Sequence, residues 1–210
     1  MRKLILVLFF ALFAVLPANA RQDTTLIKAC FNGYKNAILS DQGKAAVSFV
    51  DSRTVKYYTD ILQKTKTLDS LGIDKLPIMD KLTILMIRHR ATREEIMQLD
   101  GRSLLVYAIE RGMVGKNSVQ QIGIGEVMIR GNAAEGQIMV GEAPTSLAYN
   151  FYKEDGAWKM DITSVLKEGN AAMKKVVQDS GQPENEFLIM LLENATGKEP
   201  LKNIWKPLLN

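Results

Sequence analysis

The stretch Tyr149–Ser164, YNFYKEDGAWKMDITS, decides the fold. At its centre stands Asp155-Gly156, a pair preferred in the two-residue type I′ turn because both central residues of that turn need positive φ. A turn placed there sets Glu154 opposite Ala157, Lys153 opposite Trp158, Tyr152 opposite Lys159, Phe151 opposite Met160, Asn150 opposite Asp161 and Tyr149 opposite Ile162. Side chains alternate across a strand. Tyr149, Phe151, Trp158, Met160 and Ile162 therefore share one face, and Asn150, Tyr152, Lys159 and Asp161 the other. A slip of one residue would mix the two sets, so pattern and turn chemistry agree on one register. The stretch is expected to be a half-buried hairpin with its aromatics inward and a wet opposite face. Each buried side chain would contribute about 1.5–3 kcal/mol.

Upstream of the hairpin the same period of two continues. SVQQIGIGEVMIRG alternates Ile122, Ile124 and then Val127, Ile129, and Gly123 and Gly125 predict a bulge or bend within it. EGQIMVGE reads as the return strand, and TSLAYNFYKE and AWKMDIT as the third and fourth. Before residue 113 the period is helical. TTLIKACFNGYKNAILS carries Leu26, Ile27, Cys30, Phe31, Tyr34, Ala37 and Ile38 at helical spacing, with Gly43 read as its stop. KAAVSFVD predicts a short helix or turn, and Asp51 or Ser52 a cap for RTVKYYTDILQKTK. Lys75–Arg90 reads as a further helix. Thr92 with Glu95 is a capping-box pattern, and Asp100 caps GRSLLVYAIERG. After Ser164 the helical period returns in VLKEGNAAMKKVVQDS, stopped by Gly181, and in EFLIMLLENAT, which opens at Pro183 and ends at Gly197. Helices, then an antiparallel meander, then helices again describe an α+β domain. Strands that do not alternate with helices argue against a doubly wound nucleotide-binding sheet.

The first 20 residues read differently. MRKLILVLFFALFAVLPANA has a basic start, an apolar run and an Ala-x-Ala end, the pattern of a secretory signal peptide. The apolar run is short for a membrane span. The expected organisation is a signal peptide over 1–20, an α+β domain over 21–165, and a helical extension over 166–210 packed on the same domain, in a protein exported to the periplasm or beyond. Without Arg2 and Lys3 the 27 basic side chains become 25 against 23 acidic, which makes no electrostatic case for nucleic acid. Cys30 is the one cysteine, so an exported chain would rest on packing without an internal disulfide.

Few residues carry chemistry. His89, the one histidine, ends an apolar stripe beside Arg88 and Arg90 and reads as a helix-end residue. With one histidine and one cysteine, a zinc site lacks ligands, and no cofactor is expected. The basic RHRATR run is followed at once by Glu94 and Glu95, so local neutralisation is its first reading, ahead of anion or headgroup binding. The Gly-x-Gly of GIGEVMIRG lies within a strand and is not a phosphate loop. Ten methionines and the apolar FLIMLL segment suit either core packing or an adaptable apolar surface for a protein partner.

The order of elements, the AILSDQGKAAVSFVD helix-turn pattern and the closing strand DGAWKMDITSV resemble the nuclear transport factor 2-like superfamily, with its cystatin-like fold, over about Thr25–Val165. The resemblance implies a curved sheet of about four strands wrapped around the N-terminal helices as a cone with an interior pocket. On that reading Tyr34, Tyr58, Tyr107, Tyr149, Phe151 and Trp158 are pocket-wall candidates for a small apolar or amphipathic ligand. Enzymes of the superfamily, isomerases and dehydratases, use pocket Asp, Tyr or His groups, and Asp51, Tyr57, Tyr58, Asp60, Tyr107 and Asp161 are chemically suitable here. No spacing among them matches such an active site. The expectation is a non-catalytic exported protein that binds a ligand in the cone or a partner, a second copy included, through its helices. The alternatives are an isomerase- or dehydratase-type enzyme and an interaction module with a filled cone. No stable membrane insertion is expected after the leader is removed.

Overall fold

A computed structural model describes residues 18–114 and 116–209. The expected leader, 1–20, lies almost wholly outside the described residues.

The hairpin is built as the sequence dictates. β3 (Ala143–Glu154) pairs with β4 (Ala157–Asp161) in the expected register, from Glu154 opposite Ala157 to Asn150 opposite Asp161. Asp155 and Gly156 turn the chain with φ of 50° and 79°. Phe151 and Met160 are fully buried and Trp158 is 4% exposed. Two details differ from expectation. Pairing stops at Asp161, because Ile162–Val165 coils into a single 3₁₀ turn. Asp161, expected in water, is 6% exposed, because its carboxylate caps that turn, accepting from the Thr163 amide at 2.9 Å and the Thr163 hydroxyl at 2.6 Å.

β1 (Ile122–Arg130) and β2 (Ala133–Val140) complete an antiparallel meander in the order β1-β2-β3-β4. The register shifts between Ile124 and Val127, where Gly123 and Gly125 predict a bulge. The outer edge of β4 is covered by a parallel bridge between Val50 and Met160, bonded through Phe49 and Asp51.

Helix α1 (Ala18–Leu39) lies on the inner face of the sheet. Its Ile27, Cys30, Phe31, Tyr34 and Ile38 form one core with Phe151, Trp158 and Met160. The hairpin also fastens the start of this helix, since Trp158 Nε1 donates to Asp23 Oδ1 at 2.8 Å and Lys153 reaches the same oxygen at 3.2 Å. Gly43 does not stop α1 as expected. The chain turns at Asp41 (φ 54°), and Gly43 opens α2 (Gly43–Val47). A Cβ on Gly43 would lie 2.6 Å from the Val106 carbonyl, so its smallness serves the approach of α2 to α7 (Gly101–Glu110).

The caps fall where sequence chemistry puts them. Asp51 accepts from the Thr54 amide at 2.9 Å and starts α3 (Ser52–Thr67). Thr92 and Glu95 form the capping box of α6 (Arg93–Gln98), and Asp100 with Ser103 that of α7. Two short helices, α4 (Ser70–Asp74) and α8 (Lys116–Gln120), fall outside the sequence reading, and α5 is shorter than expected, Ile78–Arg90. α3, α5, α6 and α7 share a second core built on Ile61, Leu62, Ile84, Ile87, Ile96 and Leu104. α9 (Leu166–Ser180) and α10 (Glu184–Thr196) pack on α5 through a third, with Ile78 and Leu85 meeting Val177, Phe187, Leu188 and Leu192. The molecule is α+β, a four-stranded antiparallel sheet with helices packed on it.

Candidate functional site

Tyr34 from α1, Tyr58 from α3 and Tyr149 from β3 converge between the sheet and the helices. Their phenols are close enough that a charge on Tyr58 or Tyr149 would act on Tyr34, whose ionisation is already pushed far up by burial. Burial also pushes Tyr149 up, and Phe31 packs its ring 6.1 Å from that of Tyr149. Burial first, then the Asp80 carboxylate, pushes Tyr58 up to about 12. All three phenols are neutral donors at physiological pH.

None of the hydrogen bonds among the described residues uses these three hydroxyls. Buried polar groups are rarely left without a partner. Among the described residues, the one sealed side-chain nitrogen or oxygen without a partner is Asn185 Oδ1. The three tyrosine oxygens therefore keep some exposure. Tyr58 lines a pocket of about 200 Å³, walled also by Leu82, Thr83, Met86, Ile87, Leu104, Ala108, Met113 and Val114. Its lining is apolar except for Tyr58 and Thr83, and the Thr83 hydroxyl is committed to the Met79 carbonyl at 2.7 Å. Free hydrogen bonding in this wall therefore falls to Tyr58.

Asp80, a residue the sequence reading passed over, sits behind this wall on α5. It is 8% exposed, accepts from the Tyr57 hydroxyl at 2.6 Å and faces Lys64 at 3.6 Å. The Tyr57 and Tyr58 rings meet edge to face, 5.1 Å apart. One carboxylate thus binds the first tyrosine directly and reaches the second only through space.

The other pocket-wall candidates are placed elsewhere. Phe151 and Trp158 lie in the packed core against α1. Tyr107 stands apart on α7, donating to Glu95 at 3.1 Å with the Arg111 guanidinium above its ring. Of the acidic candidates, Asp51 and Asp161 are caps and Asp60 is exposed. His89 lies at the far end of α5, where its Nε2 is 2.8 Å from Thr196 Oγ1. The Thr196 hydroxyl also lies 2.8 Å from the Leu192 carbonyl and 3.2 Å from that of Lys198. The Cys30 thiol is buried, pushed up to about 11, and directed at the Phe49 carbonyl.

The arginines of RHRATR are not held by Glu94 and Glu95 as expected. Arg88 is 7% exposed and donates to the carbonyls of Thr65, Leu68 and Ile204. Arg90 donates to Arg111 and Gly112, and Arg93 to Leu208. All three guanidiniums close backbone ends. A second, open groove of about 500 Å³ runs along α10, floored by Ile189, Met190 and Trp205 with Asn185, Glu186 and Glu193 around it.

Among the described residues, no cluster of three or more His, Cys, Asp or Glu could hold a metal, and no helix is long and apolar enough to cross a membrane. Comparison with known proteins gives no match, whether to family models, to curated proteins or to solved structures.

Proposed function

We propose that this chain is an exported binding protein of nuclear transport factor 2-like type. It takes a small apolar or amphipathic ligand in a pocket among its helices. The observation that carries the reading is the apolar pocket between α3, α5 and α7, with Tyr58 in its wall. Ligand sites pair apolar walls with a few placed polar groups, and this space has that composition. The leader pattern over 1–20 supports export. Binding rather than turnover follows from the groups present: the phenols are held neutral, and the nearby carboxylate is already engaged by Tyr57 and Lys64.

A second reading, a protein partner on the helices, draws on the α10 groove with its apolar floor of Ile189, Met190 and Trp205. Methyl NMR separates the two. Titration with toluene is expected to shift the methyls of Leu104, Met86 and Met113 and to leave those of Ile189 and Met190 in place. Ala108→Phe, which fills the cavity, abolishes the shifts. Cavity methyls that stay still up to the solubility limit of toluene would sink the ligand reading.

A further inference from the structure

The Tyr58 hydroxyl bears on what the ligand is, and this step rests on the binding reading above. We infer that the site selects a neutral amphiphile, whose compact hydroxyl or carbonyl head is met by the Tyr58 phenol and whose apolar body fills the pocket between α3, α5 and α7, with Asp80 behind the neighbouring Tyr57 as the residue that disfavours anions.

Size comes first. At about 30 Å³ for each water-sized group, the 200 Å³ cavity holds about seven carbon-sized groups. A body of six or seven carbons fills it. The head follows from what lines the space. A phenol hydroxyl both donates and accepts, so Tyr58 can pair with an alcohol or a ketone oxygen. The ligand then supplies the partner that the fold withholds from this group.

Charge decides the class. Among the described residues, no charged side chain lines this pocket. Lys35, next to Tyr34 in sequence, is committed to the Ile122 carbonyl at 2.8 Å, and Lys64 lies beyond Asp80. The charge that does reach the site is the Asp80 carboxylate, one helical turn before Thr83, and its influence at Tyr58 is felt despite Lys64. A carboxylate ligand would enter a low-dielectric space without a counterion and against a like charge, which is strongly unfavourable. An ammonium head would lose its water to meet a carboxylate whose oxygens already serve Tyr57 and Lys64. The neutral head avoids both costs.

The test compares 1-hexanol, hexanoate and hexylammonium, with toluene as a headless control, in titrations of the full chain at pH 7 followed by the Leu104, Met86 and Met113 methyls. Hexanol is expected to bind at least about tenfold more tightly than either ion, the scale of leaving a charge unpaired. Tyr58→Phe should weaken hexanol about fivefold, one net hydrogen bond, and leave toluene unchanged. Asp80→Asn, close in shape and able to keep the Tyr57 contact, should narrow the gap between hexanol and hexanoate. Either ion binding within about threefold of hexanol while toluene still binds overturns the neutral class and leaves the cavity reading intact. A gap unchanged in Asp80→Asn overturns the role of Asp80. Failure of all four probes, toluene included, brings down the binding reading itself.

Discussion

Tyr57 and Tyr58 are neighbours on α3, yet their hydroxyls are in opposite states. Tyr57 donates to Asp80 at 2.6 Å, whereas Tyr58 lines a pocket. Removing one partner of a buried hydrogen bond costs about 1–3 kcal/mol because the other is left unsatisfied. Tyr57→Phe is therefore expected to lower stability by about that amount in urea unfolding. Tyr34→Phe and Tyr149→Phe remove oxygens that hold nothing in the fold, so their midpoints should stay within about 0.5 kcal/mol of the parent or rise. A loss in Tyr34→Phe as large as in Tyr57→Phe would show that its hydroxyl has a partner within the fold. Part of this was legible in the sequence. Tyr34 and Tyr58 fall on the buried stripes of their helices, and Tyr149 on the inward face of the hairpin. Asp80 was not legible, because it lies inside a helix read as starting at Lys75 and nothing near it in sequence marks its partners. Only the fold brings it to Tyr57 and Lys64, 23 and 16 positions away.

At the scale of elements, local chemistry decided most of the outcome. The Asp155-Gly156 turn fixed the hairpin register, and Asp51, Thr92 and Asp100 fixed three helix starts, since each needs only neighbours within a few residues. What the sequence concealed is where long side chains end. Arg88, His89, Arg90 and Arg93 read as a charged patch, but three of them cap carbonyls up to 116 positions away. His89 joins the end of α5 to the end of α10 through Thr196. Its ionisation is pushed below its ordinary value of 6.5, first by burial and then by Arg90. As pH falls, the unfolded chain therefore takes up the proton before the folded one does. Stability from this group is full above about 6.5 and is lost as pH drops through the lower folded value. The carboxyls of Asp23, Glu95 and Asp100 are also held low, but the unfolded chain protonates those only near 3.8–4.5. Between pH 7 and 5 the urea midpoint should fall, and His89→Gln, which keeps an uncharged hydrogen-bonding group for Thr196, should flatten that fall. An equally steep fall in His89→Gln would assign the pH dependence to other groups.

For the whole molecule the question is whether the C-terminal helices are an appendage to the sheet domain or part of its interior. α5 answers through its two faces. Ile84 and Ile87 close the core shared with α3 and α7, whereas Ile78 and Leu85, fully buried, close the core made with α9 and α10. The same helix supplies Leu82, Thr83, Met86 and Ile87 to the cavity wall. Polar ties cross the junction as well: Lys81, 6% exposed, meets Glu184 at 2.7 Å, and Arg88 holds the Ile204 carbonyl. A chain ending at Val165 would expose one face of α5, leave Lys81 without Glu184, and loosen the helix that forms the cavity. Such a chain is expected to bind hydrophobic dyes and to unfold without a sharp transition, although the hairpin, the sheet and α1 are all still encoded in it. In the full chain, Leu188→Ala should cost about 2–5 kcal/mol, the loss for a sealed leucine, and should weaken toluene binding through α5 without touching the cavity lining. Cooperative unfolding of the chain ending at Val165 at the parent midpoint, with toluene still bound, would make the extension an independent layer. Joint loss of stability and binding would make α5 the element through which the C-terminal helices hold the ligand site in shape.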